Sequence, residues 1–164
     1  MTQRKWLIGM VIGTAALLNA VAVWFDATRR WDGAQQAAMR EAALIGSISR
    51  QALAIQNYQF VEYLFALWGQ EYGDVLRIAL ISQDGTIVVE YSRPGDAKPE
   101  IEVQHRLQYG YQPPLILFLA KDGAPVRRAI HRFALTFVTG SVMLGVAIVL
   151  VARGRFRNRE RMSL

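Results

Sequence analysis

Side chains that titrate near neutral pH or act as soft nucleophiles are scarce in these 164 residues: two histidines, His105 and His131, and no cysteine. Two histidines are too few for a His-rich metal centre, and without cysteine there is neither a disulfide framework nor a thiolate metal site. The motifs GxxxxGK(S/T), GxSxG and HExxH, which build phosphate cradles, nucleophile elbows and zinc sites, are absent. No catalytic residue, metal or cofactor is therefore assigned, and the chain is not expected to be an enzyme. His105 stands out because it falls on an apolar strand face. It is either a core histidine hydrogen-bonded to a neighbour, or a ligand contact and pH-sensitive switch, since imidazole changes charge near neutrality. His131 sits at the head of an apolar run and reads as interfacial.

The strands that must position His105 begin at Val75. Val75 to Ser92, VLRIALIS-QDG-TIVVEYS, places alternating apolar segments on both sides of a Gln83-Asp84-Gly85 turn. Glycine accepts the positive φ that a short hairpin loop needs. Leu76, Ile78 and Leu80 share one face of the first strand, while Val75, Ala79 and Ile81 make most of the other apolar too, with Arg77 the exception. A strand apolar on both faces is covered on both, hence central. Arg93-Pro94-Gly95-Asp96 breaks the second strand. Next, Ile101, Val103, His105, Leu107, Tyr109 and Tyr111 share one face, against Glu102, Gln104, Arg106 and Gln108 on the other. That period of two predicts a half-solvated antiparallel strand. Pro113-Pro114 punctuates, and Leu115 to Ala120 forms a fourth strand.

Two helices precede the sheet. Ala27 to Ile55 is rich in helix formers, with Gly33 and Gly46 as weak points. Ile45, Ile48, Ala52 and Ile55 fall on one face, opposite Arg40, Glu41, Ser47 and Arg50; that face is a core contact or a seam between two copies. Asn57 caps a second helix from Tyr58, which Gly73 ends, and Phe60, Leu64, Leu67 and Trp68 form the stripe expected to pack on the sheet. The fold class is α+β, with an antiparallel sheet behind long N-terminal helices.

Outside this region lie two uncharged runs of membrane-spanning length, residues 6–25 and 133–152. Trp6 and Trp24 bracket the first, at the depth where amphipathic rings favour the headgroups. Gly9 and Gly13 form a GxxxG and Ser141 and Gly145 a small-xxx-small pair, both of which let helices approach closely. Asn19 is an interhelical hydrogen-bonding group or lies near enough to the interface to be solvated. A cleaved signal peptide competes for the first run, with Ala20-Val21-Ala22 as its cleavage site. The run is longer than a signal core, so retention is expected. Basic residues follow the second run at Arg153, Arg155, Arg157, Arg159 and Arg161, marking a cytoplasmic tail over 153–164 that matches a cytoplasmic N-terminus over 1–5. Residues 26–132 are then extracytoplasmic. The formal net charge of +6 concentrates near the span ends, so it indicates topology, not nucleic acid.

The order span, long helix, short helix, DVLRIALISQDGTIVVEYSRPG, strand, strand, helix, span resembles the PAS-like extracytoplasmic sensor domains, of the Cache and CHASE kind, found in bacterial histidine kinases, diguanylate cyclases and chemoreceptors. The resemblance covers the whole layout, and its sharpest local match is Ile78 to Gly95. It implies a PAS-like fold between two transmembrane helices in the bacterial inner membrane, the central domain periplasmic. It implies a sensory input module, working as a homodimer, that passes a small-molecule or protein stimulus to an output domain beyond this chain. The resemblance carries over no ligand signature residue by residue; from their own residue types and strand positions, Arg77, Tyr91, His105 and Tyr109 are the candidate ligand contacts. The alternative is a small two-span envelope assembly or adaptor protein whose outer domain binds another protein.

Overall fold

The computed structural model describes residues 2–95, 97–110 and 112–161, with side chains described at 10, 13–95, 97–110, 112–147, 149 and 150. In chain order the elements are α1 (Thr2–Ala54), α2 (Tyr58–Glu71), β1 (Val75–Ile81), β2 (Ile87–Ser92), β3 (Ile101–Leu107), β4 (Leu115–Lys121) and α3 (Ala124–Arg161). They divide into two compact units, Arg29–Arg127 and the helical pair Met1–Thr28 with Arg128–Leu164.

In the first unit the strands form one antiparallel sheet in the order β2-β1-β4-β3. The central pair, VLRIALI and LILFLAK, is the most apolar, as expected of strands with neighbours on both sides. Edge strand β3 alternates buried and exposed from Ile101 to Leu107. It stops there, short of the expected Tyr111. Leu107 pairs with Leu115, so the chain must reverse between them, and Pro113-Pro114 has no N–H to extend the ladder. Gly110 turns the backbone with φ of 54°, and Tyr111 lies outside the described residues. The β1–β2 turn is closed by a 3.0 Å bond from the Thr86 N–H to Asp84 Oδ1. That bond holds the Asp84 carboxyl below its ordinary pKa.

One face of the sheet packs on α1 and α2, where Ile45, Leu53, Phe65, Ile78, Leu80, Leu117 and Leu119 are fully buried. Burying each is worth roughly 1.5–3 kcal/mol. α1 presents the expected face, with Ile45 and Ala52 buried and Ile48 packed against the core, whereas α2 sits rotated from its expected face. On α1 the buried set is Ala38, Ala42, Ile45, Ser49, Ala52 and Leu53, while Ile55 is exposed. On α2 it is Val61, Leu64, Phe65 and Gly69, while Phe60 and Leu67 face solvent. The reason is close approach: α2 meets the sheet through Gly69, which a hydrophobicity pattern does not register. Asn57 caps α2 as expected, its Oδ1 accepting the Phe60 N–H at 3.0 Å, though the helix ends at Glu71, before Gly73.

Residues 124–147 of α3, most of them in the helical unit, are long and apolar enough to cross a membrane, the one such segment among the described residues. Its lower bound precedes the expected Phe133, because the helix begins at Ala124. The expected span Trp6–Phe25 lies partly outside the described side chains, as do the tail arginines. Ser141 Oγ donates to Asn19 Oδ1 at 2.8 Å, so the polar residue of α1 and the small residue of α3 meet. Among the described residues, no neighbour approaches within 4 Å of where a Cβ would stand at Gly13 or Gly145, and the surroundings of Gly9 lie outside the described residues.

Candidate functional site

Strand order decides which of the expected ligand residues meet. Tyr91 on β2 and His105 on β3 pair with Ile78 and Leu117, which face the helices. They stand on opposite edges, three strand spacings or about 14 Å apart. Arg77 lies one residue before Ile78 and so belongs to the other face. Tyr109 follows the end of β3, where burial, then the neighbouring Tyr58, raises its phenol pKa. The four do not converge on one pocket.

Packing accounts for the two edge residues. A Cβ on Gly69 would overlap the Tyr91 ring, and one on Gly46 would stand 2.9 Å from His105 Cδ2 and 2.6 Å from Leu107 Cδ2. Each glycine is where a helix touches the sheet. Gly69→Ala is expected to cost about 1–3 kcal/mol through that overlap, read from denaturant melts. Adding Tyr91→Val, which clears the space, should return part of the loss; full additivity would show that the ring is not the obstacle.

Arg77 lines a groove of about 260 Å³ on the open face of the sheet. Ser92, Arg93, Pro99, Glu102, Phe118 and Ala120 line it with Arg77. Arg77 Nε donates to Glu90 Oε1 at 2.6 Å, and its guanidinium carbon stands 5.8 Å from the Phe118 ring centroid, within cation–π range. The volume is just below the roughly 300–1,000 Å³ of small-molecule pockets. Two guanidiniums, of Arg77 and Arg93, one carboxylate and the Phe118 ring suit a small molecule with an anionic head and an apolar body. Among the described residues, no group of three or more histidines and carboxylates could hold a metal ion.

A second constellation, unexpected from the sequence, lies at the helix–sheet boundary. Lys121 Nζ, at the end of β4, donates to Glu41 Oε2 at 2.6 Å and meets Asp74 Oδ2 at 3.0 Å. The other oxygen of Glu41 accepts the Trp68 indole N–H at 2.7 Å. Lys121 and Glu41 are only 11% and 14% exposed, so a half-buried ion pair, joined at its rim by Asp74 just before β1, ties α1, α2 and β4 together. Burial alone would depress the Lys121 pKa, but the hydrogen bonds it donates to both carboxylates outweigh it and the pKa is raised. Glu41 was expected on the solvent side of α1. The legible signal was Lys121, a cation closing a strand apolar on both faces.

No family model matches this chain. Nor does any curated protein or solved structure. The functional reading therefore rests on the architecture of the chain itself.

Proposed function

We propose that this chain is the transmembrane input module of a bacterial signalling receptor. In this reading the sheet unit is a PAS-like sensor on the periplasmic side of the inner membrane, and the chain works as a homodimer. The observation that carries it is continuity. α1 runs unbroken from the apolar residues near its start into the stretch that packs on the sheet, and only Asp122 and Gly123 separate β4 from α3. An antiparallel α+β unit inserted between two such helices is placed to pass a displacement along either one. The groove at Arg77 is where a small molecule would act. The Glu41–Lys121–Asp74 cluster would then couple the strand that feeds α3 to the helix that emerges from the first apolar run. Output chemistry would belong to a region outside this chain.

Topology tests the reading directly, because the chain has no cysteine of its own. Gln83→Cys places a thiol in the exposed β1–β2 turn. In spheroplasts a membrane-impermeant maleimide should label it, and the protein should resist alkaline carbonate extraction. Labelling only after lysis would place the sheet unit in the cytoplasm and overturn the proposal, as would release by carbonate.

A further inference from the structure

Arginine recurs where the two long helices leave their apolar runs. On α1, Trp24 and Phe25 are 68% and 65% exposed, and Arg29 and Arg30 follow one turn later. Exposed rings at the end of a membrane-spanning run belong at the headgroup level. On α3 the same order runs backwards along the chain, from the stacked rings of Phe137 and Phe133 to Arg132 and Arg128. All four arginines are exposed. From Phe25 to Arg29 a helix rises about 6 Å, and from Phe133 to Arg128 about 7.5 Å. The headgroup layer on each side of the hydrocarbon is about 5–7.5 Å deep. Each helix thus carries cations one headgroup layer beyond its last rings.

We infer that these arginines hold the phosphates of anionic phospholipids, in the leaflet where both helices leave the bilayer for the sheet unit. Orientation does not explain them. With the sheet unit outside the cytoplasm, as proposed above, they oppose the basic bias that orients spans, which Arg4, Lys5 and the arginines of 153–161 supply. Local carboxylates are outnumbered: Asp26 and Asp32 are those on the α1 stretch, and α3 carries none between Ala124 and Arg132. Arg127 is not counted, because Glu100 holds it. Arg128 and Arg132 stand four residues apart on one side of α3, where like charges repel, and an anion between them removes that cost. Phosphate suits the residue type, since a guanidinium grips two of its oxygens at once.

Trp24 reports the lipid next to it. The full chain with Trp6→Phe is placed in vesicles mixing dibrominated phosphatidylglycerol with phosphatidylcholine, and then in the reciprocal mixture. Adding Trp24→Phe gives the Trp31 and Trp68 signal to subtract. Quenching of Trp24 should show phosphatidylglycerol preferred at least about fivefold, what one basic residue near an anionic surface supplies. The preference should fall to near one when Arg29→Gln, Arg30→Gln, Arg128→Gln and Arg132→Gln are combined. It should fall as far in the chain with all four arginines at about 1 M sodium chloride, where the screening length is about 3 Å. No preference at low salt overturns the inference. So does a preference that survives the four substitutions, which would place the attraction elsewhere. Inorganic phosphate that removes the preference more than sodium chloride of equal ionic strength would assign the arginines to a soluble anion and also overturn it. The quenching reads the same helix ends whichever side the sheet unit occupies, so it and the maleimide labelling at Gln83→Cys fail separately.

Discussion

Replacing Glu41 by alanine is expected to lower the stability of the sheet unit by about 3–5 kcal/mol, the cost of leaving a buried charge without its main partner. Lys121 would keep Asp74, whose side chain is 35% exposed and therefore the weaker counter-charge. The Trp68 indole would lose its acceptor in the same step. Glu41→Gln, which keeps an acceptor for both donors, should cost less. The double variant Glu41→Leu with Lys121→Met removes both charges and should recover much of the loss, a coupling that denaturant melts of the three variants would measure. The pH dependence has a definite sign. Because folding raises the Lys121 pKa, its stabilisation is complete below 10.5, the ordinary lysine value, and is lost as pH climbs through the higher folded value. A wild-type midpoint that falls above pH 10.5 no faster than that of Lys121→Met would leave the lysine without this role.

Removing the Arg93 guanidinium should cost about 2–3 kcal/mol. From the first loop residue after β2 it reaches the C-terminal end of α2, donating to the Gly69 carbonyl at 2.6 Å, to that of Tyr72 at 3.2 Å, and to that of Gly73. A helix leaves its last carbonyls unsatisfied and carries partial negative charge there, so one planar cation on the Gly69 carbonyl, the cap carbonyl of Tyr72 and that of Gly73 just beyond it answers both needs. Arg93→Lys cannot span the same fork and should restore less than half of the loss. Hydrogen exchange gives the local readout, with faster exchange expected at the amides of the last turn of α2. Unchanged protection there would mean that the contact contributes little. The same residue lines the groove beside Arg77, so the end of α2 and the candidate binding surface share a wall.

The sheet was the legible part of this protein. Val75–Ile81 announced a central strand because both its faces are apolar, and β3 an edge strand because its period of two separates a wet side from a dry one. The buried face of α1 was legible in Ile45, Ile48 and Ala52, and that of α2 less so, since its closest sheet contact runs through Gly69, which carries little hydrophobic signal. Pattern reading took Phe60 and Leu67 for core, and they form an exposed surface instead. Glu41 was assigned to solvent because a carboxylate is buried only when its partners are near, and Lys121 lies 80 positions away. The expected pocket had the same weakness. Tyr91 and His105 share a face in their own strands, but nothing local indicates that β4 would insert between β1 and β3.

That insertion has a consequence for how the protein acquires its structure. The β1–β2 hairpin closes over a few residues and can form as soon as both strands exist. β3 sits at the far edge, bonded to β4, so it has no place in the sheet until the later strand arrives. Chains cut between Leu107 and Leu115 would therefore retain the hairpin and two helices while leaving Val103 and Leu107 without a surface to cover. The final strand to be synthesised docks in the middle, so the sheet is completed late, through contacts distant in sequence.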